Sequence, residues 1–233
     1  MGEKVVGIIG GMGPEATVDL MGRVIRATPA KDDRDHIRML VDNNPKVPSR
    51  IRALIEGTGE SPAPCLREMA RKLEGWGADF LAMPCNTAHY YYKEVREAVA
   101  IPVLDMIALS VDAALACKRD LKQVGLLAST AVLNLGLYEK AFAEKGVNLL
   151  APPSGVQDPL MAAIRTIKTS VYGDEVRAAL QAAGDSLVHK GAELLLVACT
   201  ELSIISEGLE ARVPMLDASQ ILAEAIVKKA GGA

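Results

Sequence analysis

Apolar positions along the 233-residue chain fall into short continuous blocks, and the stretches between them carry apolar residues at helical spacing. The run "KVVGIIGG" (4–11) has the length and composition of a buried strand. The segment after it, "GMGPEATVDLMGRVIRAT" (11–28), supplies a glycine turn, Pro14 at a first helical position and helix-spaced apolar residues. A second strand is predicted at "HIRMLVDN" (36–43), then a Pro-rich loop, a helix over "CLREMARKLEGW" (65–76) and a short strand at "DFLAMP" (79–84). Strands alternating with helices predict a parallel sheet covered on both faces.

The same order recurs in the second half. "GADFLAMPCNTAHYYYKEVREAVAIPVLD" (77–105) has a counterpart in "GAELLLVACTELSIISEGLEARVPMLD" (191–217). Each reads Gly-Ala-acid, apolar strand, Cys, helix, and a short strand ending Pro-x-Leu-Asp. "KVVGIIG" (4–10) likewise matches "KQVGLLA" (122–128). A repeat of this length is too long for a solenoid unit, and it predicts two similar lobes. The expected fold class is α/β, two lobes of parallel sheet flanked by helices, related by a pseudo-two-fold axis with the active site in the cleft between them. Residues 1–105 are assigned to the first lobe and 106–217 to the second, with a C-terminal helix in 218–233 packing back on the first.

The repeat bears on the cysteines. Cys85 and Cys199 stand at matching strand ends, whereas Cys65 and Cys117 have no repeat partner and are assigned to core or surface. Ligands of open parallel sheets bind beyond the carboxyl ends of the strands. Two thiols brought there from two lobes suit proton removal on one face of a carbon and delivery on the other. Helices beginning after each Cys are expected to aim unpaired N–H groups and a positive dipole end at it, lowering the thiol's pKa. Asn86, Thr87 and Thr200 add side-chain donors there, or serve as helix caps. His89 is read as a surface or helix-stabilising residue, and Glu201 as either that or an aid to proton transfer.

Composition narrows the alternatives. A net charge near −3 with 3% aromatic residues gives no basic footprint, so nucleic acid is not an expected partner. The N-terminus has no signal-peptide h-region and no apolar run reaches spanning length, so no membrane partner is expected and the chain is read as cytoplasmic. The four cysteines show no CxxC pair and no zinc spacing, so neither a metal nor a disulfide framework is suggested.

The stretches "GIIGGMGPEAT" (7–17), "DNNPKVPSR" (42–50), "MPCNTAH" (83–89), "LMAAIRTIK" (160–168) and "ACTEL" (198–202) resemble the aspartate/glutamate racemase family, in its aspartate racemase-like branch. The resemblance spans nearly the whole chain. It implies an amino-acid racemase that needs no cofactor and acts on aspartate, glutamate or a related amino acid, with Cys85 and Cys199 as the proton-transfer pair. It places Asn86, Thr87 and Thr200 at the substrate's α-carboxylate and amine, and Arg50 and Lys168 at a side-chain carboxylate, with Met12 and Glu201 completing the substrate-binding set. It also implies a homodimer. The chain departs from the family at Ser49, where an acidic residue orients the arginine, and at Ala131, Val132 and Leu135, which replace polar and Gly positions. Two other readings remain open: an isomerase or decarboxylase of a small dicarboxylate using one cysteine, and a non-catalytic carboxylate-binding protein.

Overall fold

In the computed structural model, which describes residues 3–231, the apolar run near the start of the chain forms β1 (Val6–Gly10), buried at every position. Pro14 opens α1 (Pro14–Ala27) at its first turn, where a missing N–H costs nothing. The chain continues through β2 (Met39–Asn43), α2 (Ala63–Gly75) and β3 (Phe80–Ala82). β2 lies parallel to one side of β1 and β3 parallel to the other, giving the order β2-β1-β3. A single bridge from Leu81 to Val103 extends this sheet. The helix expected directly after Cys85 is instead one 3₁₀ turn, Thr87–Tyr91, followed by the short α3 (Tyr92–Arg96).

α4 (Met106–Cys117) leads to a second sheet. The elements are β4 (Gln123–Leu127), α5 (Thr130–Asn134), α6 (Leu137–Ala143), β5 (Asn148–Leu150), α7 (Ser154–Ile167), α8 (Asp174–His189), β6 (Leu194–Val197), α9 (Thr200–Ser203) and β7 (Met215–Asp217). They pair in the order β5-β4-β6-β7, parallel throughout. The last helix is α10 (Ala218–Ala230). By contact density the chain divides into one unit that runs to Met106 and resumes at Ser219, and a second that spans Ile107–Ala218. Within the first, Lys4 N–H donates to the Ala230 carbonyl at 3.1 Å, tying the approach to β1 to the end of α10.

The repeat read from the sequence is a repeat of packing. A Cβ on Gly7 would lie 2.6 Å from Leu81, 3.0 Å from Ala78 and 3.1 Å from Leu73. One on Gly125 would lie 2.8 Å from Leu195, 2.9 Å from Leu187 and 3.0 Å from Ala192. In each unit a bare position in the central strand lets a helix and the neighbouring strand close on it. The acid of each Gly-Ala-acid stretch has a matching structural task. Asp79 Oδ2 accepts the Val5 N–H at 2.7 Å, and Glu193 Oε2 accepts the Lys122 and Gln123 N–H groups at 2.6 and 3.2 Å. These backbone donors, with Lys118 at 3.1 Å, hold the Glu193 carboxyl below the usual range.

Candidate active site

In the first unit the carboxyl ends of β1, β2 and β3 carry Met12, Arg50 and Cys85. Met12 lies in the turn between β1 and α1, buried in the same apolar cluster as Cys85, Met83 and Val47. That turn is pressed against the loop after β2: Gly11 has φ +93°, and a Cβ there would lie 2.2 Å from the Asn44 backbone. Thr17 Oγ1 fixes it by accepting the Gly11 N–H at 2.9 Å. The glycine-rich stretch is therefore shaped by close backbone approach.

Arg50 spans the same two loops. Its Nη1 donates to the Pro48 and Val47 carbonyls at 3.0 and 3.3 Å, and its Nη2 to the Met12 carbonyl at 3.3 Å. Backbone carbonyls thus orient the guanidinium, the task that the family resemblance gives to an acid at position 49. Ser49 Oγ instead accepts the Arg52 N–H at 3.3 Å. A guanidinium has five N–H donors, and these contacts engage three of them.

Cys85 follows β3 by a tight turn, its N–H donating to the Met83 carbonyl at 2.9 Å, and is 6% exposed. Asn86 and Thr87 come next, the first buried and the second half-buried. His89 is not at the surface. It is buried and stacked on Tyr92, with Nδ1 2.9 Å from the Cys85 carbonyl and Nε2 3.1 Å from the Met106 N–H. An N–H needs an acceptor, so Nε2 is unprotonated and Nδ1 carries the proton that goes to Cys85. Burial pushes the imidazole below its ordinary value and keeps it neutral. The residue ties the backbone of Cys85 to the start of α4.

In the second unit Cys199 follows β6, is 5% exposed, and opens α9, with Thr200 and Glu201 buried behind it. The Cys199 S–H donates to Glu201 Oε2 at 3.2 Å, and the other oxygen of Glu201 pairs with Lys168, at the end of α7. The sequence does not pair these residues. The thiol is raised well above its usual range, first by burial and then by the Glu201 charge, which outweigh the lowering by Lys168. This reverses the expected lowering at Cys199. The helix that follows has four residues, too few to build an appreciable dipole. Gln157 also escapes sequence reading: from α7 its amide donates to the Ala128 carbonyl at 3.0 Å and to Thr130 Oγ1 at 3.3 Å, fixing the loop after β4. A polar side chain within the apolar face of a predicted helix is the signal that would have flagged it. Ala131 and Val132 line the start of α5 as buried apolar residues.

All four cysteines are free thiols; Cys65 is half-buried and Cys117 exposed. Among the described residues no three His, Cys, Asp or Glu side chains are grouped to hold a metal ion, and no helix is long and apolar enough to cross a membrane.

The sequence model of the Asp/Glu/hydantoin racemase family matches residues 9–226. The chain is 26% identical over 227 residues to the broad specificity amino-acid racemase RacX of Bacillus subtilis, covering 96% of each protein. It superposes on the aspartate racemase of Picrophilus torridus with a TM-score of 0.83 at 34% identity, covering 98% of this chain and 94% of that one. A glutamate racemase from Francisella tularensis, solved in complex with D-glutamate, shares the fold, with a TM-score of 0.66 at 20% identity over 97% of this chain and 81% of the other. The parallel α/β architecture, the repeated strand-end thiols and these matches along nearly the full chain lead to one conclusion: the protein belongs to the Asp/Glu/hydantoin racemase family and is an isomerase of the racemase type.

Proposed function

We propose that the protein racemises an amino acid, aspartate, glutamate or a relative, by exchanging the Cα proton between Cys85 and Cys199. The observation that carries this reading is the recurrence of a buried free thiol at the carboxyl end of the equivalent strand in each unit. One sulfur enters as thiolate and takes the Cα proton, forming S–H and leaving the electron pair on carbon. The other gives its proton to the opposite face, forming the new C–H bond and leaving a thiolate. Roles reverse for the other enantiomer, and no redox step is needed.

The Cα–H bond is far less acidic than a thiol, so the carbanion-like charge must be stabilised by donors that are already in place. Asn86, Thr87 and Thr200, with the backbone N–H groups beginning each short helix, take this role towards the α-carboxylate, and the side-chain oxygens of these residues accept from the amine. Met12 packs against the substrate. Arg50, with the N–H groups its backbone contacts leave over, and Lys168 recognise a side-chain carboxylate. Neither pyridoxal phosphate nor a metal is part of the proposed reaction. The same reading extends to a cytoplasmic protein, where thiols stay reduced, and to a homodimer; Val18 and Ile25, two turns apart on α1, are exposed apolar side chains that a second copy would cover.

The test is proton exchange by single-cysteine variants in D₂O, without pyridoxal phosphate and with a chelator present. Cys85→Ala and Cys199→Ala are each expected to abolish racemisation. Each should still wash deuterium slowly into one enantiomer with retention, and the two should prefer opposite enantiomers. Near wild-type racemisation by either variant would reject the two-thiol mechanism.

A further inference from the structure

Cys199 is joined to two charged groups from different elements. Its S–H meets Glu201 Oε2 at 3.2 Å, Glu201 is buried with a side chain 8% exposed, and Lys168, which pairs with the other carboxylate oxygen, is 38% exposed. A buried carboxylate without a counter-charge is costly, and Lys168 supplies that charge from the end of α7. The three side chains form a line from a buried sulfur to a partly solvated ammonium. Among the described residues, Glu201 on α9 and Lys168 after α7 are the charged groups that act on this thiol.

We propose that Glu201 is a positioning residue of the racemase: neutralised by Lys168, its carboxylate receives the Cys199 S–H, orients it, and keeps Cys199 in the thiol form between turnovers. This rests on the two-thiol reading above and deepens it, because it makes the proposed pair unequal. Cys199 is the sulfur that carries the proton in the resting enzyme. When Cys199 gives up its proton to carbon, the S–H bond breaks, C–H forms, and a thiolate is left facing a carboxylate. The repulsion between the two anions then favours return of a proton to sulfur, from substrate or from solvent. Glu201 remains a carboxylate and Lys168 an ammonium throughout. A third assignment follows for Lys168, which through Glu201 sets the strength of this effect.

The thiolate of Cys199 is followed by its ultraviolet absorbance during a pH titration, taken as the difference between each protein and its Cys199→Ser counterpart. Glu201→Gln removes the carboxylate charge and is expected to move the Cys199 titration to lower pH by at least one unit, about tenfold more thiolate at a fixed pH below the midpoint. Lys168→Met, which leaves Glu201 uncompensated, should move it to higher pH, and Lys168→Arg should restore the wild-type position. A purely structural ion pair would not move the titration in opposite directions. An unchanged or upward titration in Glu201→Gln, or an unchanged or downward one in Lys168→Met, overturns the assignment; should Glu201→Gln fail to fold, the Lys168 variants decide alone. Racemisation that survives in Cys199→Ser would instead reject the two-thiol reading, an outcome that the titration does not produce.

Discussion

Replacing His89 by Gln is expected to remove part of the protein's sensitivity to acid. The neutral imidazole uses both nitrogens, one proton going to the Cys85 carbonyl and one lone pair accepting the Met106 N–H. A second proton would have to enter where Met106 donates, in a site whose burial already lowers the folded-state value. In the unfolded chain the same imidazole takes up a proton at about pH 6.5. Above that pH neither state is protonated and the contribution of His89 is intact. As pH falls below it, the unfolded state binds a proton that the folded state refuses, and stability drops by about 1.4 kcal/mol per pH unit until the folded value is reached. At pH 5 this amounts to as much as about 2 kcal/mol, a large share of a typical total of about 5–15. Gln offers an amide donor and a carbonyl acceptor for the same two partners and does not titrate. Urea unfolding of wild type and His89→Gln between pH 7.5 and about 5 measures the difference. Circular dichroism reports the whole chain, and Trp76, the single tryptophan, 59% exposed and in the same unit, reports locally. As pH falls below about 6.5 the wild-type curve should drop relative to the variant's, by as much as about 2 kcal/mol at pH 5. Curves that stay parallel would show that His89 does not couple folding to protonation, and would refute the tautomer assigned here.

Two further outcomes can be checked directly. Arg50→Ala should raise KM for an acidic amino acid by roughly 10- to 150-fold, the equivalent of a charged hydrogen bond of about 1.5–3 kcal/mol, and leave a neutral substrate much less affected; equal effects on both would remove Arg50 from side-chain recognition. Gly11→Ala should lower thermal stability by several degrees or prevent folding, because the new Cβ meets the Asn44 backbone rather than a movable side chain and the residue must hold a positive φ. A melting temperature equal to wild type would show that the turn relaxes freely.

Much of this molecule is written in short-range pattern. The apolar run at 4–11, Pro14 and the helix spacing after it, and the parallel repeat at 77–105 and 191–217 locate β1, α1, β3 and β6 within a few residues, because each depends on neighbours in sequence. What escaped depends on where a helix lies over a strand end. Lys168 and Glu201 are 33 residues apart and meet only because α7 ends beside α9, so the sequence suggests Lys168 as a substrate cation and gives no sign that it also partners a buried acid. His89 looks like a helix-surface residue because the pattern "CNTAHYYY" suits a helix. The 3₁₀ turn that forms there rotates the ring inward to the Cys85 carbonyl. At Cys199 no helix dipole lowers the thiol for a related reason: a local pattern marks where α9 begins and not that it ends after four residues.

The matched notches at Gly7 and Gly125 bear on descent. They sit away from the thiols and do no chemistry, yet each is filled by the corresponding Leu, Ala and Leu of its own half. The residues following the two thiols have meanwhile diverged, to Asn-Thr-Ala-His in one half and Thr-Glu-Leu-Ser in the other. A doubled ancestral gene accounts for both facts: the interior was inherited twice and conserved by the cost of opening a packed core, while the rims were free to specialise. Chimaeras that exchange strand interiors between the halves should therefore be tolerated far better than chimaeras that exchange the four residues after a thiol, because the first swap returns each half to its common plan and the second erases what the halves learned separately.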